Sequence, residues 1–183
     1  MTTQPVQLTT ATAAPKPTLR YLQGYPSDTL AQVERLLQQD RVAGWLRAKY
    51  SQAHDIRTDK ALFEHVQALK TAHLRGAETL AKVLFDNKLQ VVQHALGTHT
   101  TIARVQGAKL KAKREIRVAA LFKHTPLEFL NMICAHELAH LKQREHDKAF
   151  YQLCRHIEPD YHQLEFELRV YLVYLETGGP PLW

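Results

Sequence analysis

An α+β fold follows from three observations on this 183-residue sequence. Helical periodicity fills the first half, after a start rich in Thr, Ala and Pro. Three short β-type runs follow between Leu89 and Leu121. Capped, helix-patterned segments then close the chain, so strands and helices are segregated rather than alternating.

The elements come in order. Residues 1–18 hold few large apolar side chains and read as a flexible tail. Ser27 or Asp28 caps a helix running to about Tyr50, with Leu30, Val33, Leu36 and Leu37 at helical spacing. A second long helix starts after Thr58-Asp59. Its apolar stripe is Leu62, Val66, Leu69, Leu74, Leu80 and Leu84, and Gly76 is its one weak point. The texture changes at Asp86-Asn87. β-type runs cover Leu89–Leu96, Thr100–Gln106 and Leu110–Leu121, punctuated by Gly97 and Gly107. Thr125-Pro126-Leu127-Glu128 then fits a capping box, with Thr125 as N-cap and Pro126 first in the helix. That helix carries Leu127, Leu130, Ile133, Cys134, Leu138 and Leu141. Asp147 caps a helix from Lys148 to Ile157, stopped by Pro159. Asp160 starts a last one from Tyr161 to Glu176, closed by Gly178. The chain thus divides into a tail (1–18), an N-terminal helical region (19–85) and a unit at 86–183 that holds every motif.

Composition narrows the class. Two cysteines exclude a disulfide scaffold and favour a reducing compartment. No apolar run approaches the roughly 20 residues of a membrane span. The N-terminus has no charged segment followed by an apolar one, as a secretory signal would. A soluble, cytoplasmic protein with no membrane partner is expected. The net charge of +6 is local: Arg104, Lys109, Lys111, Lys113, Arg114, Arg117 and Lys123 face Glu115 alone across residues 104–123, which by itself makes +6. In the third β run the even positions are Leu110, Ala112, Ile116, Val118 and Ala120, with Arg114 the exception. The odd positions are Lys109, Lys111, Lys113, Glu115 and Arg117. Such alternation turns one face inward and makes the other a basic ladder. The ladder is either protection of a sheet edge or a substrate-facing surface built from Lys109, Lys111, Lys113 and Arg117.

The chemistry sits on the capped helix, as His136-Glu137-Leu138-Ala139-His140, an HExxH motif. Residues four apart share a helical face, so both imidazoles reach one metal ion. Glu137 lies about 100° round the helix, where it serves as general base toward an activated water instead of ligating. Catalytic zinc takes three protein ligands and keeps one position open. His146 supplies the third if the helix ends soon after His140. On an unbroken helix it would stand roughly 15 Å along and 280° round from His136. Glu158, Glu165 and Glu167 are the rival third ligands.

Residues 126–175 resemble the YgjP-like metallopeptidase family of zinc-dependent hydrolases, related to SprT-like and WLM proteases. The resemblance is carried by Pro126-Leu127-Glu128-Phe129-Leu130, by HELAHL, by His146, by Phe150-Tyr151 and by Pro159-Asp160-Tyr161. Family members usually read Asn-His-Ser and Phe-Trp where this chain has Glu145-His146-Asp147 and Phe150-Tyr151. They also carry Trp-Gly-Ser-Cys on the preceding strand, where it has Arg104-Val105-Gln106-Gly107. The resemblance implies a zincin-like α+β fold, with a small sheet packed on the HExxH helix and Zn2+ held in a cleft.

Other residues have two readings. Tyr161, His162, Arg169 and Tyr171 are placed to steady an oxyanion, or, for the two tyrosines, to edge the core. His156 and His162 are outer partners of the site or plain surface, and His124 lies just before the cap. Asp160 either caps its helix or orients a ligand imidazole. Cys134 and Cys154 read as small core residues, and Cys134 points away from the metal face.

The sequence therefore predicts a zinc-dependent hydrolase, first of all a metalloprotease with a peptide or protein substrate. In zincin-like folds an extended substrate pairs with the edge strand beside the active-site helix. The third β run is the candidate edge, and its basic face favours acidic or phosphorylated substrates. The alternative is hydrolysis of a nucleotide polyphosphate at the same metal, with the Lys/Arg ladder on the phosphates. A further alternative is a nucleic-acid-binding module or nucleic-acid-associated protease that uses residues 104–123.

Overall fold

The computed structural model describes the backbone of residues 19–77, 79–89, 97–106 and 109–183, and the side chains of these except at 97–106 and 109–113. The tail expected at 1–18, most of the strand expected at Leu89–Leu96 and Gly107 lie outside the described residues.

The N-terminal half holds three helices where the pattern suggests two. After a 3-10 turn at Arg20–Leu22 come α1 (Ser27–Gln38), α2 (Val42–Lys49) and α3 (Asp59–His73). Helix α1 stops because Asp40 turns left-handed, with φ 51°, while Asp40 N and Arg41 N close on the carbonyls of Leu37 and Leu36. Asp is among the few non-glycine residues that tolerate that conformation. Helix α3 starts as expected: the Thr58 hydroxyl accepts from Ala61 N at 3.2 Å. It does not run on to Leu84. Gly76, at φ 76°, turns the chain, and Leu80 and Leu84 belong to a strand, β1 (Leu80–Asp86). Their helical spacing with Leu74 is a coincidence that pairing overrides, since β1 finds a partner in a distant strand.

That partner is β3 (Lys109–Ala119), which pairs in parallel with β1 from Leu80↔Arg114 to Asp86↔Ala119. Strand β2 (Gly97–Gln106) pairs antiparallel with β3 from Gly97↔Val118 to Gln106↔Lys109. The sheet order is β1-β3-β2. The basic strand is therefore central, not the edge expected. Both of its hydrogen-bonding sides are taken from Arg114 to Ala119, whereas Lys109–Lys113 pair with β2 alone, so edge protection and a substrate-facing surface both stand as readings of its lysines. Arg114 departs from the inward pattern, while Ile116 and Val118 are fully buried as expected.

Strand β3 ends at Ala119, and a 3-10 turn over Ala120–His124 replaces the strand end expected at Leu121. The expected capping box does not form. Pro126 is the N-cap of α4 (Leu127–Ala139), and the Thr125 hydroxyl donates instead to the Phe122 carbonyl at 3.2 Å. Thr125 is buried because the 51–57 loop covers it, with His54 N donating to Thr125 O at 3.2 Å. Every residue of α4 from Met132 to Ala139 is buried, as suits a helix apolar nearly all round. Leu127 is the exception to the expected stripe and is exposed. Helices α5 (Lys148–Ile157) and α6 (Tyr161–Glu176) stand where expected.

Helix α3 packs on β1, α4 lies against β2 and β3, and α5 and α6 pack on α4. One buried apolar cluster joins Leu22, Leu62 and Val66 to Ile116, Phe129, Leu138 and Leu168, so the residues before and after position 85 share a core. Two polar devices lock α4 in place. His65 Nε2 and Asn131 Oδ1 meet at 2.8 Å between α3 and α4. His54 bridges the 51–57 loop to the 3-10 turn, with Nε2–H on Phe122 O at 2.8 Å and Nδ1 accepting from Ile56 N at 3.0 Å.

A candidate metal centre

Helix α4 ends at Ala139, with His140 as its C-cap. The NH groups of His140, Leu141, Lys142 and Gln143 close on the carbonyls of His136, Leu138 and Ala139, and the chain turns back. Asp147 then begins α5, its carboxylate accepting from Phe150 N at 2.9 Å. That turn brings His146 beside the helix it has left.

Three Nε2 atoms converge. His136 and His140 stand 3.3 Å apart, His136 and His146 3.3 Å, and His140 and His146 3.1 Å. Three imidazoles held about 2.0–2.1 Å from one tetrahedral ion would place their nitrogens roughly 3.3 Å apart. Three ring nitrogens packed this closely suit lone pairs turned toward one shared cation. Among the described residues this is the one group of three or more His, Cys, Asp or Glu donors close enough to share an ion. The donor set and its spacing therefore fit a divalent metal.

The surroundings hold these rings. Phe150 is fully buried beneath all three, with centroid distances of 4.9 Å to His136, 4.6 Å to His140 and 4.7 Å to His146. His140 Nδ1–H donates to the Gln143 carbonyl at 3.0 Å. His136 Nδ1 meets the Tyr161 hydroxyl at 2.7 Å. Burial first, then His140 and His146, pushes the His136 pKa down to about 3, so its ring is neutral and free to bind a cation. Burial likewise lowers the pKa of His140. Burial raises the Tyr161 phenol well above its ordinary value and keeps it neutral.

Glu137 is 1% exposed, and neither carboxylate oxygen has a hydrogen-bond partner. Burial alone pushes its pKa up to about 8. A buried, unpartnered carboxyl is costly and stands out as a group kept for chemistry.

The rival ligands are occupied elsewhere. Glu165 pairs with Arg169 at 2.6 Å. Glu167, fully buried, accepts from Lys49, Tyr50 and Gln163. Glu158 accepts from Asp160 N at 3.4 Å. Asp160 starts α6 without a side-chain cap bond, and His136 turns to Tyr161 instead of to it. Tyr171 is a core residue whose hydroxyl accepts from Leu182 N. Arg169 spans Glu165 and the Tyr21 carbonyl. His162 packs at a tilt against Tyr151, and His156 packs edge-on against His73, with both histidines on the surface. His124 is exposed at the end of the 3-10 turn. Cys134 and Cys154 are buried free thiols, as expected.

On the basic strand, the backbones of Lys109, Lys111 and Lys113 are placed in β3 and their side chains lie outside the described ones. Arg117 is described: its guanidinium contacts Asp86 at 2.9 Å and Glu115 at 2.6 Å. The sequence reading missed Phe150 and Tyr161 as supports of the imidazoles. The signal was present: Phe150 follows His146 by four, and Tyr161 opens a helix directly after a proline-stopped one.

This fold and donor set define a class. The chain belongs to the YgjP-like metallopeptidase domain family, whose pattern matches residues 66–171. It is 54% identical over 160 residues, 87% of this chain and 96% of the relative, to the UTP pyrophosphatase of Escherichia coli (strain K12). No solved structure is found to match it. The chain is thus an enzyme, a metal-dependent hydrolase, as its sequence predicts. No described helix is long and apolar enough to cross a membrane.

Proposed function

We propose that this chain is a zinc-dependent nucleoside triphosphate hydrolase acting on UTP or a close analogue. The three convergent imidazoles beside a buried, unpartnered Glu137 carry the reading, on a chain 54% identical to a UTP pyrophosphatase. His136, His140 and His146 are the metal ligands. Zn2+ bound there supplies Lewis acidity, which polarises the electrophile and makes a neighbouring water easier to deprotonate. Glu137 takes the proton from that water and returns it to the leaving group. Its desolvated carboxyl suits both halves of that exchange, because a pKa near working pH makes proton uptake and release comparably easy. Phe150 fixes the ring planes, and the Gln143 carbonyl fixes the His140 tautomer, so the ligand lone pairs converge before metal arrives. Lys109, Lys111 and Lys113 are the candidate phosphate-binding side chains. Arg117 joins them in sequence, but two carboxylates already hold it, so it steadies the β1–β3 pair.

Peptide hydrolysis is the second reading. It is favoured by β2, the outer strand among the described ones, which lies against α4 where an extended chain can add. The deciding experiment offers the zinc-loaded protein UTP, other nucleoside triphosphates and an unstructured peptide panel, with Glu137→Gln as control. Pyrophosphate release from UTP that Glu137→Gln abolishes supports the proposal. Peptide cleavage with UTP left intact moves the chain to the second reading.

A further inference from the structure

We propose that Tyr161 is the residue that readies His136 for the metal, by accepting its Nδ1 proton and so keeping the Nε2 lone pair on the site. The inference rests on the three-histidine reading above. A neutral imidazole carries one proton, on either nitrogen. On Nε2 of His136 it would point into a triangle where two further Nε2 atoms stand 3.3 Å away. It must sit on Nδ1, and Nδ1 meets the Tyr161 hydroxyl at 2.7 Å. His140 solves the same problem with the Gln143 carbonyl, which can only accept. A phenol is not so constrained. It can donate to Nδ1 as readily as accept from it, and a donating Tyr161 would force the His136 proton onto Nε2 and close the site.

The crowded Nε2 triangle sets the direction: with the imidazole proton kept on Nδ1, the Tyr161 oxygen accepts it. Tyr161 itself is 1% exposed, so no water competes for that role. Its ring lies nearly parallel to that of His136, at 17° and 6.3 Å between centroids, which fixes the hydroxyl in the imidazole plane's neighbourhood. Tyr161 is thus a positioning residue acting through His136.

The test is the dissociation constant for Zn2+ of the full chain, by competition with a chromophoric chelator. It compares wild type with Tyr161→Phe, Tyr171→Phe and His146→Ala. Tyr161→Phe keeps the ring and loses the acceptor, and is expected to bind zinc about 10–100-fold more weakly. Tyr171→Phe loses an equally buried hydroxyl, bonded to Leu182 N, and keeps wild-type affinity. Zinc affinity of Tyr161→Phe within twofold of wild type, with His146→Ala having lost zinc, overturns the role of Tyr161 and leaves the metal site standing. Zinc held by His146→Ala as by wild type overturns both.

Discussion

Nε2 of His146 lies 3.3 Å from Nε2 of His136, although ten residues separate them and a continuous helix would set them roughly 15 Å apart. The closure depends on a turn pinned at its far end by Asp147, whose carboxylate caps α5 at Phe150 N. His146 and Phe150 flank that cap. Asp147→Ala should therefore cost about 1 kcal/mol of stability and also loosen the site. Thermal melts of the metal-free protein read the first effect and chelator competition the second. A lower melting temperature with unaltered zinc affinity would show that the cap serves the helix alone.

Glu137 is the group on which the proposed hydrolysis turns. Glu137→Gln keeps the shape and loses the base. Turnover of UTP should fall by about 10²–10⁴-fold, the span usual for a positioned general base. Zinc content should not change, because the carboxylate is not among the converging donors. Steady-state kinetics beside metal analysis of the same preparation checks this. Loss of zinc in Glu137→Gln would make Glu137 a ligand and remove it as the base.

Glu167 offers a separate check on the ligand set. It is fully buried and accepts from Lys49, Tyr50 and Gln163, which join α2 to α6. Breaking such a cluster leaves buried donors unsatisfied. Tyr50→Phe or Glu167→Gln is expected to destabilise the fold by about 1–3 kcal/mol in denaturant titrations. Zinc affinity should stay at the wild-type value. A Glu167 variant that folds normally and cannot hold zinc would reinstate a downstream glutamate as ligand.

Much of the catalytic end was legible because its signals are local. The HExxH spacing, the Asp147 cap and the proline stop at Pro159 each act within a few residues, and α5 and α6 fall where those signals put them. The support of the rings was legible only in part: the spacing of Phe150 from His146 and the helix start at Tyr161 are local, but both residues reach His136 only after three helices pack together. The sheet misled for a related reason. Leu80 and Leu84 fit a helical stripe with Leu74, and only pairing to Arg114 and Arg117, over thirty residues on, makes them strand. Likewise, the alternation of β3 suggests an edge, while the central place of Arg114–Ala119, beyond the lysines, is decided by two partners that periodicity does not name.

His54 ties stability to pH. Burial lowers its pKa below the ordinary 6.5, and both ring nitrogens are bonded in the neutral form. Above about pH 6.5 it is neutral folded or unfolded, and its contribution is complete. As pH falls through that value, the unfolded chain takes up a proton that the folded chain refuses, and stability is lost until the lower folded pKa is passed. Melting temperatures of wild type and His54→Gln from pH 8 to 5 test this. The variant should be less stable at pH 8, by about 1–3 kcal/mol, through the Ile56 NH left without its acceptor and the donor lost at the Phe122 carbonyl, which keeps the Thr125 hydroxyl. It should also lose less on acidification. Parallel pH profiles would mean that His54 does not titrate with folding.

The register of the β2–β3 hairpin sets Lys111 directly opposite Arg104 and Lys109 opposite Gln106, and residues 102–106 and 109–113 contain no acid. Like charges directly opposed across a sheet are destabilising. Their retention in this strand pair makes sense if an anion neutralises them during function. A triphosphate is such an anion, and attraction of this kind weakens with salt. Replacing Lys109, Lys111 and Lys113 together by Ser should raise KM for UTP severalfold and flatten the salt dependence of kcat/KM. kcat should change little, because the histidines and Glu137 are untouched. The same variant should be no less stable at low salt, since a repulsion has been removed. Unchanged KM and salt dependence would assign the excess charge of this chain to something other than the substrate.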